Sequence, residues 1–170
     1  LGLAIGDALG APFEFTKPGA FQPIDDFHSG GMFKLNAGEW TDDTSMALCL
    51  AESLTRCNGF DPKDQMETYW KWLADGHLSV REKAVGVGKT TMRAIFMYKK
   101  SGEPYSSITN PLSAGNGSIM RLAPVPLFYA DDSLKAIEIS GESSKTTHAL
   151  QVNIDTCKYF GGLIWGAVNG

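Results

Sequence analysis

Residues 40–59 read WTDDTSMALCLAESLTRCNG. Thr41 is a residue type that opens helices, and Asp42 and Asp43 suit the positive end of a helix dipole. Met46, Leu50, Leu54 and Cys57 then recur at steps of four or three, one face of a 3.6-residue period. Asn58-Gly59 supplies the stop. This stretch predicts a capped amphipathic helix, and the pattern repeats outward from it. Asp61-Pro62 opens a second helix with Met66, Tyr69, Trp70 and Leu73 on one face, ending at Gly76. A third covers roughly 90–100 with Met92, Ile95 and Phe96, stopped by Gly102. Asp132 caps a helix carrying Leu134, Ile137 and Ile139, and residues 149–168 form a last one bearing Val152, Tyr159, Phe160, Leu163 and Ile164. No alternating strand pattern is present, so the expected fold class is all-α, a single domain over 1–170 without repeats or linkers.

Gly2, Gly6 and Gly10 share one face of an N-terminal helix, a spacing that predicts a close helix crossing. Residues 16–40 hold Pro18, Gly19, Pro23, Gly30, Gly31 and Gly38 and are too broken for a regular element. A segment of that length in a compact domain is expected to be a functional cover. A second loop, rich in Ser, Gly, Pro and Asn, spans 101–118.

The chain has 170 residues, with 15 Lys+Arg against 19 Asp+Glu for a net charge of −4. A domain of this length buries roughly two thirds of its extended surface, enough for a core without staples. No apolar run can cross a bilayer. The absence of a basic block argues against a nucleic-acid partner. Three cysteines, Cys49, Cys57 and Cys157, with no zinc spacing suit a reducing cytoplasm, and all three read as core positions. Leu1–Leu9 has no charged leader or cleavage site. Both ends look cut, because the first residue already lies inside a helical pattern and the last closes an apolar helix.

Four groups of residues could carry chemistry. Thr41, Asp42, Asp43 and Thr44 offer hard oxygen ligands for Mg²⁺, Mn²⁺ or Ca²⁺ within one turn; read locally, they are equally a cap and dipole partners. Ser113-Ala114-Gly115-Asn116-Gly117-Ser118 offers backbone N–H groups to an anion, with a helix expected to start near Ser118 and Arg121 adding charge; a plain Asn-Gly turn is the alternative. Glu14 lies between Phe13 and Phe15, where a carboxyl pKa rises, unless it is a solvated loop acid. His148 adjoins a Ser/Thr-rich stretch and reads as either catalytic or structural, while His28 and His77 have no evident partners. Gly86-Val87-Gly88-Lys89-Thr90-Thr91 mimics a phosphate loop, but Lys83 stands where the first glycine belongs and no buried strand precedes it.

Three separated blocks, Gly2–Phe15, Trp40–Thr44 and Gly115–Arg121 with the later Thr147-His148, resemble the ADP-ribosylglycohydrolase family. The resemblance implies an all-α fold around a centre of two Mg²⁺ ions, or Mn²⁺, in a metal-dependent hydrolase cleaving ADP-ribose from a modified protein side chain. Thr41, Asp42 and Asp43 match the family's first metal motif, the two acids also serving catalysis. Glu14 matches its flap glutamate, and residues 16–40 the movable cover. Ser113, Gly115, Asn116, Gly117 and Ser118 match the segment cradling pyrophosphate and distal ribose, and His148 a residue lining the ligand cleft.

One departure stands out. The family's second acidic motif, Asp-x-Asp-Thr, is not found before Gly170; Asn153-Ile154-Asp155-Thr156 has Asn for the first Asp and reads as structural. The metal shell is therefore expected to be incomplete, with the missing C-terminal part of the fold as a partner. A non-catalytic ADP-ribose binder or structural relative is the rival reading. The acceptor side chain is not specified by any of these motifs.

Overall fold

The computed structural model describes residues 1–170 and contains seven α-helices. They are α1 (Gly2–Gly10), α2 (Asp42–Cys57), α3 (Pro62–Asp75), α4 (Lys89–Ser101), α5 (Pro124–Phe128), α6 (Ser133–Lys145) and α7 (Gln151–Asn169). No strand forms, and the one extended pairing is an isolated bridge between Gly30 and Leu35. The all-α expectation holds. No helix is long and apolar enough to cross a membrane.

The boundaries follow local chemistry. Asn58 adopts a left-handed conformation after α2 (φ 50°, ψ 42°), a backbone state that Asn tolerates better than most residues. The Asp61 carboxylate accepts from the Lys63 and Asp64 amides at the start of α3, satisfying two of the donors a helix leaves free. Asp132 caps α6 through the Lys135 amide.

Helix α2 is the spine of the core. Its Met46, Cys49, Leu50 and Leu54 pack with Met66, Tyr69 and Trp72 of α3, and Ile95, Leu122, Val125, Tyr129, Ala136 and Cys157 complete the cluster. The outer helices are less buried than their periodicity suggests. Met92, Phe96, Leu134, Val152, Tyr159 and Leu163 are exposed, and small residues such as Ala94, Ala136 and Ser140 face inward instead. Cys57 is exposed too, so only Cys49 and Cys157 are core positions.

The expected close crossing at Gly2, Gly6 and Gly10 does not occur, since a Cβ at any of them would meet nothing within 4 Å. Their face is open to a cleft. The tight crossing lies between α6 and α7, where a Cβ on Gly161 would stand 2.2 Å from Ser140 Oγ and one on Gly141 would stand 2.7 Å from Lys158 Cε. Residues 16–40 are irregular, as expected. Arg81 fastens their far end by bonding Glu39 and the carbonyls of Phe33 and Lys34.

No helix begins at Ser118. Residues 117–121 form turns, with the Asn116 carbonyl accepting from the Ile119 and Met120 amides, and the next helix starts only at Pro124. Arg121 is fully buried and cannot meet an anion in the cleft. Its guanidinium bonds the Gly117 carbonyl, the Tyr69 hydroxyl, Ser143, Thr146 and Thr147 Oγ1, and stacks over the Tyr69 ring. None of those partners is acidic. A buried charge is stable here only because carbonyl and hydroxyl dipoles replace its hydration. Arg121→Ala should therefore lower the unfolding free energy by about 3–5 kcal/mol, measured by chemical denaturation, whereas a loss under 1 kcal/mol would contradict this assignment.

Candidate functional site

The site is built where α1 meets the start of α2. Thr41 occupies the N-cap of α2 with extended backbone (φ −116°, ψ −150°), but its side chain makes no capping bond. The cap comes from another helix. Asp7, the one charged residue of α1, accepts from the Thr41 amide at 3.0 Å, the Thr41 hydroxyl at 2.8 Å, the Thr44 amide at 3.1 Å and the Thr44 hydroxyl at 2.7 Å. A carboxylate at a helix N-terminus satisfies free N–H groups and meets the positive end of the dipole. The Thr41 hydroxyl donates its hydrogen bond to Asp7, so the lone pairs of its oxygen are free to accept.

Two further carboxylates follow. Asp42 is buried, and desolvation first, then the neighbouring Asp43 charge, push its pKa up to about 8. Asp43 is half-buried and is raised to about 6 by burial and by the charges of Asp7 and Glu14. Glu14 is exposed at the end of the short turn Ala11–Phe13, and partial burial and then Asp7 raise its pKa. Neither reading of Glu14 was wholly right: it is solvated, yet it belongs to this acidic group. No Lys, Arg or His forms an ion pair with Asp7, Glu14, Asp42 or Asp43, although ion pairs occur elsewhere in the molecule.

Asp7, Glu14, Thr41, Asp43 and Asn116 share the wall of a 570 Å³ cleft with Gly6, Gly10, Phe13 and, from the irregular segment 16–40, Phe21. A second cavity of 600 Å³ adjoins it through Gly6, Asp7, Asp43 and Asn116, and extends between α1 and α7 to Phe160 and Ile164. Asn116 thus faces the acids. Gly115, Asn116 and Ser118 line a smaller cavity of 260 Å³ beside Asn153, whose side-chain amide holds the Gly115 carbonyl at 2.8 Å.

The remaining expected residues are more removed. Ser113 ends a short turn at the loop's start, and Ser118 is buried beside Cys157. Gly117 is buried, and a Cβ there would stand 2.7 Å from His148 Cε1 and 2.9 Å from Thr91 Oγ1. His148 is only 4% exposed; it lies beneath the loop, with Nδ1 3.0 Å from Thr147 Oγ1. Desolvation, then the Arg121 charge, lowers its pKa to about 4. His77, without an evident partner in the sequence, meets Glu52 at 2.8 Å, and His28 stands edge-on to Phe13.

Hard oxygens without counter-charges have the donor chemistry of a divalent-cation site. The set is partial, however, because no three His, Cys, Asp or Glu side chains converge closely enough to hold an ion. Thr41, Asp42 and Asp43 are the residues that could contribute to one. Sequence reasoning missed Asp7, whose signal was a lone acid among small and apolar residues on α1.

The fold and cleft define an all-α protein with an acidic helix N-terminus opposed to a glycine-rich turn. The chain belongs to the ADP-ribosylglycohydrolase family, whose model matches residues 1–170. It is 36% identical over 170 residues to the ADP-ribosylarginine hydrolase Tri1 of Serratia proteamaculans, covering 100% of this chain and 46% of that protein. It is 38% identical over 134 residues to the ADP-ribosyl-[dinitrogen reductase] glycohydrolase of Rhodospirillum rubrum, covering 75% of this chain and 42% of that one. A solved structure described as an ADP-ribosylglycohydrolase-related protein complex matches with a TM-score of 0.84 at 38% identity, covering 99% of this chain and 54% of the other. The chain spans about half the length of the relatives it matches.

Two outcomes test this geometry. Asp7→Ala should cost about 1–2 kcal/mol, the upper range for a lost helix cap, in equilibrium unfolding. His148 is held neutral when folded, with its pKa below the unfolded value of 6.5. Below pH 6.5 the unfolded chain therefore takes up a proton that the folded chain refuses until about pH 4, so this residue's contribution falls on acidification. The stability of wild type relative to His148→Gln should shrink from pH 7 to pH 4, and a constant difference would refute the neutral, buried assignment.

Proposed function

We propose that this chain carries one half of the catalytic cleft of a hydrolase that cuts the glycosidic bond between ADP-ribose and a modified protein side chain. The observation supporting it most is that uncompensated carboxylates and Asn116, from the Gly115–Ser118 turn, line one cleft. ADP-ribose is anionic at its pyrophosphate and rich in hydroxyls at its riboses. Backbone amides of the glycine turn suit the first, and carboxylates accept hydrogen bonds from the second.

A bare acidic cluster would repel the pyrophosphate, which argues for a bound cation at the Thr41, Asp42 and Asp43 oxygens. Mg²⁺ or Mn²⁺ would supply charge neutralisation and orientation of ribose hydroxyls. The chain's own residues account for the rest. Glu14, at the cleft mouth and outside the proposed ligand set, is placed to accept a proton from water. Asp43, on the same wall, would orient that water beside the cation. Negative oxygens around the anomeric carbon stabilise the positive charge that develops as the glycosidic bond breaks. Asp7 keeps Thr41 and the first turn of α2 in register with this geometry.

The relative named as an ADP-ribosylarginine hydrolase makes arginine the first acceptor to test. The absence of three converging acids favours one rival, ADP-ribose binding without turnover. The intact protein, given ADP-ribosylarginine and Mg²⁺, should release ADP-ribose, and chelation should stop the release. Asp42→Asn and Asp43→Asn should each reduce kcat by roughly 100-fold or more. ADP-ribose binding with no release from any ADP-ribosylated acceptor would establish the rival instead.

Burial of the Asp42 charge also predicts a stability effect. In chelator at pH 8, Asp42→Asn should raise the melting temperature, because the variant removes a carboxylate whose ionisation the fold opposes. A lower melting temperature would show that Asp42 is compensated in some other way.

A further inference from the structure

The Gly86–Thr91 segment, which imitates a phosphate loop without being one, runs behind the cleft from Asp42 to Gly117 and lines neither of its cavities. Gly86 has φ +84°, and a Cβ there would stand 2.5 Å from Asp42 Oδ1 and 3.0 Å from Thr41 Cβ. The backbone at this position therefore rests directly against the Asp42 carboxylate. Asp42 itself does not line the cleft cavities, whereas Asp43 does, so the strap backs the acid from behind. Five residues later Thr91, 2% exposed, reaches the buried Gly117 of the glycine turn. Its Oγ1 is 2.9 Å from where a Cβ on Gly117 would stand.

The segment between these contacts is anchored twice. Val85 is buried with Ala11 and Leu35 under the cover, while Val87 packs on the main core. Gly86 is thus pinned from both sides, and Gly88 turns the chain into α4, which carries Thr91 under the loop. Lys89, which would hold phosphate in a true phosphate loop, is exposed.

We propose that Gly86–Thr91 is a positioning strap that sets the spacing between the Asp42 carboxylate and the Gly115–Ser118 turn, with Gly86 and Thr91 as its two positioning residues. The assignment rests on the hydrolase reading above and deepens it. Gly86 acts through a carboxylate proposed for the chemical step, and Thr91 through a turn proposed for ADP-ribose binding. The two ends therefore affect different kinetic constants.

The test compares Gly86→Ala, Val87→Ala, Thr91→Leu and Asp42→Asn in the intact protein, with kcat and KM on ADP-ribosylarginine and the Kd for ADP-ribose by calorimetry. Tyr129→Phe, which loses the bond to the Phe60 amide and lines none of these cavities, reports what reduced stability alone does. Gly86→Ala should lower kcat by about 100-fold, the scale of a misplacement near 1 Å, with the ADP-ribose Kd within about threefold of wild type. Thr91→Leu should do the opposite, raising KM and Kd by about tenfold or more while kcat changes less. If Gly86→Ala does not fold, Val87→Ala keeps the glycine and loosens the anchor, and it should lower kcat in the same direction. Loss of kcat by Asp42→Asn alongside wild-type kcat in the strap variants would overturn the strap and leave the hydrolase reading standing. Parallel changes in all constants, matching Tyr129→Phe, would do the same. Wild-type kcat in Asp42→Asn itself would overturn both.

Discussion

The Asp7 carboxylate is the constraint on which the cleft depends. It reaches from α1 to the first turn of α2 and takes two amide and two hydroxyl donors there. Four donors converging on one partly buried carboxylate fix the entry of α2, together contributing on the scale of a strong helix cap, about 1–2 kcal/mol. That entry carries Asp42 and Asp43. The same bonds orient α1 so that Gly2, Gly6 and Gly10 leave its cleft side smooth. Without Asp7, the acids and the glycine face would belong to two unrelated helices.

The opposite wall is organised by a cation. Arg121 holds the Gly117 carbonyl on one side and Ser143, Thr146 and Thr147 on the other, and Thr147 in turn meets His148. A charged side chain at that position has the same effect as a neutral hub with more donors, because guanidinium N–H groups reach several carbonyls in one plane. Burial first, and then the Arg121 charge beside it, keep His148 neutral. The Gly115–Ser118 turn is therefore held from beneath, and Asn116, on its exposed edge, is the residue that shares the cleft lining with the acids.

Much of this was legible in the sequence. Helices α2, α3 and α4 announced themselves through caps and periodicity, because those signals depend on residues close together in the chain. The acidic group at Thr41–Asp43 and the turn at Gly115–Ser118 were visible for the same reason. What escaped were long-range pairings. Asp7 caps a helix 34 residues away, Thr91 supports Gly117, and Arg121 turns inward; none leaves a local trace. The glycine stripe misled for a related reason, since spacing shows that a face is smooth but not whether a helix or a cleft lies against it. Leu134 and Tyr159 occupy apolar positions in the pattern yet are exposed, because Ala136, Ser140 and Gly161 bring α6 and α7 too close to admit larger side chains.

The acidic cluster is a local conflict that the rest of the fold tolerates. Burial and mutual repulsion both oppose the ionised forms of Asp42 and Asp43, and no basic side chain relieves them. Folding alone would favour Asn or Ser at these positions. Carboxylates retained against that preference are suited to binding something positive, and local conflicts of this type concentrate at functional sites. The surrounding contacts compensate: Asp7 caps the helix that the acids burden, the core along α2 is almost wholly buried, and Gly86 presses against Asp42 so that it cannot swing out to water. An acid that could escape into solvent would lose its raised pKa and its fixed place behind the cleft wall together. The strain and the positioning are thus two aspects of one arrangement.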